Sequence, residues 1–160
     1  DTMNTTTTRE GAVNVARAEA DRLPAVVALS NRGDHDGEER DPADRPTMDP
    51  AALRALAAAH REGFEVTDPT AVLLNQPYLG SEEIRAAGER FGALRAEADA
   101  AGLRLGAVQA EFLREFLLGQ AAAAELQQPG TDWIQEDPAH IDAIAQACKR
   151  SWDAFRDATA

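Results

Sequence analysis

Residues 105–126 read LGAVQAEFLREFLLGQAAAAEL, and how this stretch is taken decides the fold. Leu105, Val108, Phe112 and Phe116 recur at intervals of three and four, the spacing that places apolar groups on one face of an α-helix. The sequence predicts a long helix from about Leu105 to Leu126, ended by Gln127-Gln128-Pro129-Gly130. The preceding stretch repeats the pattern. Ile84, Ala87, Phe91, Leu94 and Ala98 lie at the same spacings, Ser81 stands at the helix start with Glu82 and Glu83 in the favourable first turn, and Gly102 follows as the stop. Downstream, Ile141, Ile144, Ala145, Cys148, Trp152 and Phe155 form a stripe over five turns after Pro138.

Asp-Pro pairs at Asp49-Pro50, Asp68-Pro69 and Asp137-Pro138 read as helix starts. Aspartate accepts unpaired first-turn N–H groups, and proline at the first helical position loses no hydrogen bond. The first of these opens a helix over about Pro50 to Glu62, with Leu53, Leu56, Ala57 and His60 on one face and Gly63 as a left-handed stop. A short helix using Val72 and Leu73 is expected after Pro69, before a turn at Gln76-Pro77-Tyr78-Leu79-Gly80. Near the start, Thr7 and Glu10 have capping-box spacing, predicting a helix from Thr7 to about Leu23. Its apolar face is Val13, Ala16 and Ala20, and Ala25 to Leu29 would add one or two turns beyond Pro24.

Between these segments, Asn31 to Asp49 carries Asp34, Asp36, Glu38, Glu39, Asp41 and Asp44 among glycines and prolines with no apolar periodicity. It reads as a flexible acidic loop at about 31–49. Its Asp34-His35-Asp36-Gly37 stretch places glycine too early for a calcium-binding loop, which needs it at the sixth position. The fold expectation is therefore all-α: an antiparallel helical bundle or globin-like packing of five to six helices, forming one domain over 1–160.

With 28 acidic against 16 basic residues, the formal net charge is -12. The average surface then repels phosphate backbones and anionic lipid headgroups, so neither direct nucleic-acid nor membrane binding is expected. No apolar run approaches a membrane span, and Asp1 to Thr8 lack the hydrophobic stretch of a secretory signal, which makes a cytoplasmic location the default. Cys148 has no cysteine partner in the chain and reads as an inert core thiol.

Catalytic signals are weak. His35, His60 and His140 fall in a loop, on an apolar face and in a first turn, without the paired spacing that metal ligation from a helix requires. Neither metal nor cofactor is expected, and Asp137, which opens the Asp-x-x-His stretch ending at His140, reads as a cap. The candidate ligand-binding set is His60 with the aromatics Tyr78, Phe91, Phe112, Phe116, Trp133 and Trp152, flat groups able to line a pocket between helices or to pack a core.

The stretch Ser81 to Gly119, above all AGLRLGAVQAEF at Ala101 to Phe112, resembles the helical N-terminal sensory domains of RsbR-type stressosome and PucR-type regulator proteins. Gly102, Leu103, Leu105, Val108 and Phe112 fall on the positions where those domains show glycine, apolar residues and an aromatic, while Ala98 stands where an arginine is common. The opening ARAEADRLPAVVAL, Ala16 to Leu29, is similar to the helix and proline that begin such domains. AAGL and FLLGQ also resemble the ligand-binding half of TetR-type repressors. Either resemblance implies a non-enzymatic helical domain that forms a homodimer and binds a small apolar ligand or a protein partner. The alternative carried by the charge is an acidic interaction or inhibitor protein that covers a basic surface of its target.

Overall fold

A computed structural model describes residues 4–7, 13–128 and 134–159. It corrects the all-α expectation: the centre of the protein is a three-stranded mixed sheet, and no antiparallel bundle or globin-like packing is present among the described residues. The sheet has the order β4-β3-β5, with β3 (Val27–Ser30) between β4 (Val72–Leu74), parallel to it, and β5 (Gln109–Phe112), antiparallel to it. The register sets Val27 opposite both Val72 and Phe112. A separate two-stranded antiparallel pair joins β1 (Thr5–Thr7) to β2 (Val13–Ala16).

Three predicted helices give way to this arrangement. The expected Thr7–Leu23 helix is replaced by the β1–β2 pair and a 3-10 turn at Glu19–Asp21. The run Ala25 to Leu29, read as helical turns, supplies β3 instead. All four β3 residues are buried, because the strand has neighbours on both edges and cover on both faces. A strand in that position reads as an almost continuous apolar run, here Val27, Ala28 and Leu29 before Ser30, and loses the alternation that marks half-exposed strands. Val72 and Leu73, expected in a helix, lie in β4, preceded by a 3-10 turn Pro69–Ala71 whose first residue follows the Asp68 cap.

The Leu105–Leu126 segment divides most thoroughly. It contains β5, then α3 (Arg114–Leu118) and α4 (Gln120–Leu126), separated by Gly119 at φ 80°. That left-handed dihedral is accessible to glycine and interrupts the helical run.

The remaining helices agree with the sequence. Helix α1 (Pro50–Gly63) begins where Asp49 accepts a hydrogen bond from Ala52 N, and it is the crossover that a parallel β3–β4 pair requires. Leu53, Leu56 and Ala57 of α1 form one apolar cluster with Val27, Leu29 and Val72 of the sheet. Gly63 stays helical rather than turning left-handed. The left-handed residue is Glu65, two positions later.

Helix α2 (Glu82–Ala100) ends at Gly102, φ 68°, where Leu103 N donates to Ala98 O and Gly102 N to Asp99 O. These bonds satisfy the carbonyls that the last turn leaves open. Ser81 occupies its N-cap position, but its hydroxyl serves Glu83 and holds that carboxylate below the usual range. Helix α5 (Pro138–Thr159) starts at Asp137, whose Oδ1 accepts from Ala139 N and His140 N. Its contact with α1 is the largest between helices. At the last residue of α1, Gly63 lies so close to α5 that a β-carbon there would stand 2.2 Å from Ser151 Oγ and 2.8 Å from Ala147 O. Among the described residues, no helix is long and apolar enough to cross a membrane.

Candidate functional site

Of the seven residues singled out from the sequence, His60, Phe112, Phe116 and Trp152 come together, and Tyr78 and Phe91 do not. The His60 ring stacks on Phe64 at 6.0 Å between centroids and meets Trp152 edge-on at 6.1 Å. Phe64 in turn packs on Phe112 at 5.8 Å and on Phe116 at 5.5 Å, and Trp152 contacts Phe155 at 5.9 Å. The rings fill space among themselves, each against the edge or face of a neighbour, with Trp152 at the exposed margin of the group. Tyr78 lies in the turn after β4 and Phe91 half-buried on α2, both outside this cluster. Trp133 lies outside the described residues. Phe64 and Phe155, absent from the candidate set, are integral to the cluster. Phe64 follows Gly63 just beyond the helix end, where helical periodicity gives no signal.

His60 is 2% exposed, and its Nδ1 lies 2.9 Å from Leu56 O one turn back. Desolvation by burial lowers its pKa from the ordinary histidine value, against a smaller opposing effect of the Leu56 bond. A folded-state pKa below the unfolded one means that the imidazole's contribution is fully present above about pH 6.5 and is lost as pH falls through the lower, folded-state value. Melting temperature measured from pH 7.5 to 5 is expected to fall more steeply for the native chain than for His60→Gln. Parallel pH profiles for the two would overturn this assignment.

The second grouping of polar residues is at the carboxyl ends of β3 and β4, the place where open α/β sheets bind ligands. Asn31 and Asn75, buried at 0% and 6% exposure, close off the two strands. Asn31 Nδ2 donates to Gly37 O and Met48 O, and its Oδ1 accepts from Gly33 N and Asn75 Nδ2. Asn75 Oδ1 accepts from Asn31 N, and its Nδ2 also donates to Asp34 O. Beside them Arg32 makes a two-point ion pair with Asp44, which holds that carboxyl below its usual range, and donates to Gly80 O. Arg32 and Asn75 both have positive φ, 69° and 52°. These bonds tie the 31–49 segment to the sheet. They also engage the polar atoms that would otherwise face a ligand. A groove of about 280 Å³ lies beside this region, between residues 42–47 and the Arg85–Gly92 part of α2.

No protein-family model, curated protein or solved structure matches this chain.

The third feature is on α5. Its buried line runs through Ala147 and Ser151. Next to it Ile141 is 50% exposed and Trp152 44%, with Ala145 exposed and Cys148 half-buried between them. At 3.6 residues per turn these four positions fall within roughly 60° of one another around the helix. They form a continuous apolar strip on the outer side of the α1–α5 contact. Burial pushes the Cys148 thiol pKa up, which keeps it protonated and a poor nucleophile at neutral pH. The strip therefore contributes apolar surface rather than chemistry.

Proposed function

We propose that this chain is a protein-docking module of a regulatory assembly, and that it docks through the apolar strip Ile141, Ala145, Cys148 and Trp152 on α5. The observation that carries this reading is the exposure of a large aromatic and a branched aliphatic side chain on one line of one helix. Single exposed apolar residues are ordinary, whereas aligned ones with a Trp mark contact surfaces. The resemblance at Ala101–Phe112 supports the regulatory part. It implied an all-helical fold, which this chain does not have, so the docking surface rather than the fold supports the proposal. Ligand sensing between helices has weaker support, since His60, Phe112, Phe116 and Trp152 pack against rings rather than around a space.

A photo-crosslinking amino acid at position 141, in cells producing the chain, is expected to give discrete protein adducts. The same group at Arg95, on the exposed side of α2, should give none. No adducts from 141, or the same adducts from both positions, would overturn the reading.

A second reading, docking onto a basic surface, is favoured by one observation. Exposed Asp36, Glu38, Glu39 and Asp41 share an end of the protein with Glu82 and Glu83, close enough for Glu82 to act electrostatically on Arg32. Contact made there would weaken steeply with salt, because exposed charges are screened. Contact through α5 would not.

A further inference from the structure

We infer that the partner on α5 is a second copy of this chain, paired antiparallel about a two-fold axis between Gln146 and Ala147; this rests on the docking role proposed for α5. Three observations converge on it. The strip positions 141, 145, 148 and 152 are separated by four, three and four residues, so the pattern is the same read in either direction. Reversed upon itself, it sets Ile141 against Trp152 of the second copy and Ala145 against Cys148. Large groups then occupy both ends and small ones the middle, where the helices must approach most closely. A two-fold interface has to be self-complementary in this way.

The charges agree. Asp142, Lys149, Asp153 and Arg156 border the strip on its solvent side, two of each sign in a chain whose net charge is -12. Two copies of so acidic a protein repel on average and can meet only where the surface is locally balanced. In the antiparallel arrangement Asp142 of each copy comes level with Ser151 of the other, about 3 Å along the helix from Lys149, where it joins the ion pair that Lys149 makes with Asp153 of its own helix, giving two such opposite-charge contacts by symmetry. A basic partner would be drawn to the acidic end of the sheet instead.

The strip is one helix wide, well short of the 20–30 residues a side of a standard interface, so the dimer is expected to be reversible with a midpoint at roughly tens of micromolar. Sedimentation equilibrium across that range should show a monomer–dimer system. Ile141→Glu lies away from the aromatic cluster and should weaken it at least about tenfold without a change in melting temperature. Asp142→Lys alone and Lys149→Asp alone should each weaken it about threefold to tenfold, and the two together in one chain should restore it. Helix direction is read by disulfide trapping. A chain carrying Ala145→Cys with Cys148→Ser, mixed with the unaltered chain, should give a mixed disulfide, since the two positions are opposed within the roughly 7 Å that a disulfide spans.

A chain monomeric to about 1 mM, a dimer indifferent to Ile141→Glu, or the absence of the mixed disulfide between positions 145 and 148 would each overturn the antiparallel pair. If the chain stays monomeric while adducts from position 141 contain a different protein, self-pairing fails and the docking role of α5 stands. If position 141 gives no adducts, both fail.

Discussion

Replacing Asn31 with alanine is expected to remove about 3–4 kcal/mol of stability, the largest effect of any single side-chain truncation outside the apolar core. Asn31 has no exposed surface and its carboxamide makes four hydrogen bonds, to Gly37 O, Met48 O, Gly33 N and Asn75 Nδ2. Each buried group left unpaired costs about 1–3 kcal/mol, and shared partners make the four losses less than additive. Water entering the vacated space recovers a part. Asn31→Asp separates donors from acceptors: it keeps the shape and the acceptor, but turns a second oxygen toward Gly37 O and Met48 O. It should be comparably destabilised at neutral pH and partly restored as pH falls and the carboxyl protonates. Denaturant unfolding gives the stabilities, and limited proteolysis should show new cleavage between Asp36 and Arg45. A loss under about 1 kcal/mol for Asn31→Ala would mean that the bonds are not formed as described.

Gly63→Ala is expected to destabilise by about 2–3 kcal/mol, although alanine is the better helix former by about 1 kcal/mol. The added methyl would lie 2.2 Å from Ser151 Oγ, 2.8 Å from Ala147 O and 2.8 Å from Ser151 N. Rotating Ser151 relieves the first contact only by breaking its bond to Ala147 O, and the other two are to backbone, so α5 itself must move. Overpacking of this kind costs about 1–3 kcal/mol or more. Gly92, also helical, has nothing within 4 Å of an added β-carbon. Gly92→Ala should therefore stabilise by about 0.5–1 kcal/mol. Opposite shifts of melting temperature, downward at 63 and upward at 92, are the expected result. A rise for both would show that α1 and α5 are not in close contact.

Helices α1, α2 and α5 were legible because each has one face in water. Polar residues then alternate with apolar ones at the helical period, and Asp49, Asp137 and Gly102 mark their ends by local chemistry that needs no tertiary information. The sheet was illegible for the converse reason. Val27, Ala28 and Leu29 are covered on every side, so their sequence has no period, and a short apolar run is equally compatible with helical turns. In β5, Phe112 faces Val27 across the sheet, and its spacing from Val108 and Phe116 imitates a helix although the three belong to a loop, a strand and a short helix. At the candidate site, the position of Trp152 on the outer edge of the α5 stripe emerged only once α1 was seen to cover the neighbouring line. The Asn31–Asn75 pair had no signal at all, since two asparagines distant in sequence become partners only through the parallel pairing of β3 and β4.

That pairing order has a consequence for biosynthesis. Strand β3 leaves the ribosome early and gains β4 after one crossover, but its opposite edge is bare until Gln109–Phe112 has been made. Throughout that interval a strand that is buried along its whole length in the finished fold offers unpaired backbone groups to whatever is near, and the later β5 closes the sheet by a contact of long sequence separation. A chain interrupted between Ala100 and Gln109 would thus be left as an aggregation-prone intermediate with α1 and α2 in hand and α5, the helix that packs on α1, still unmade.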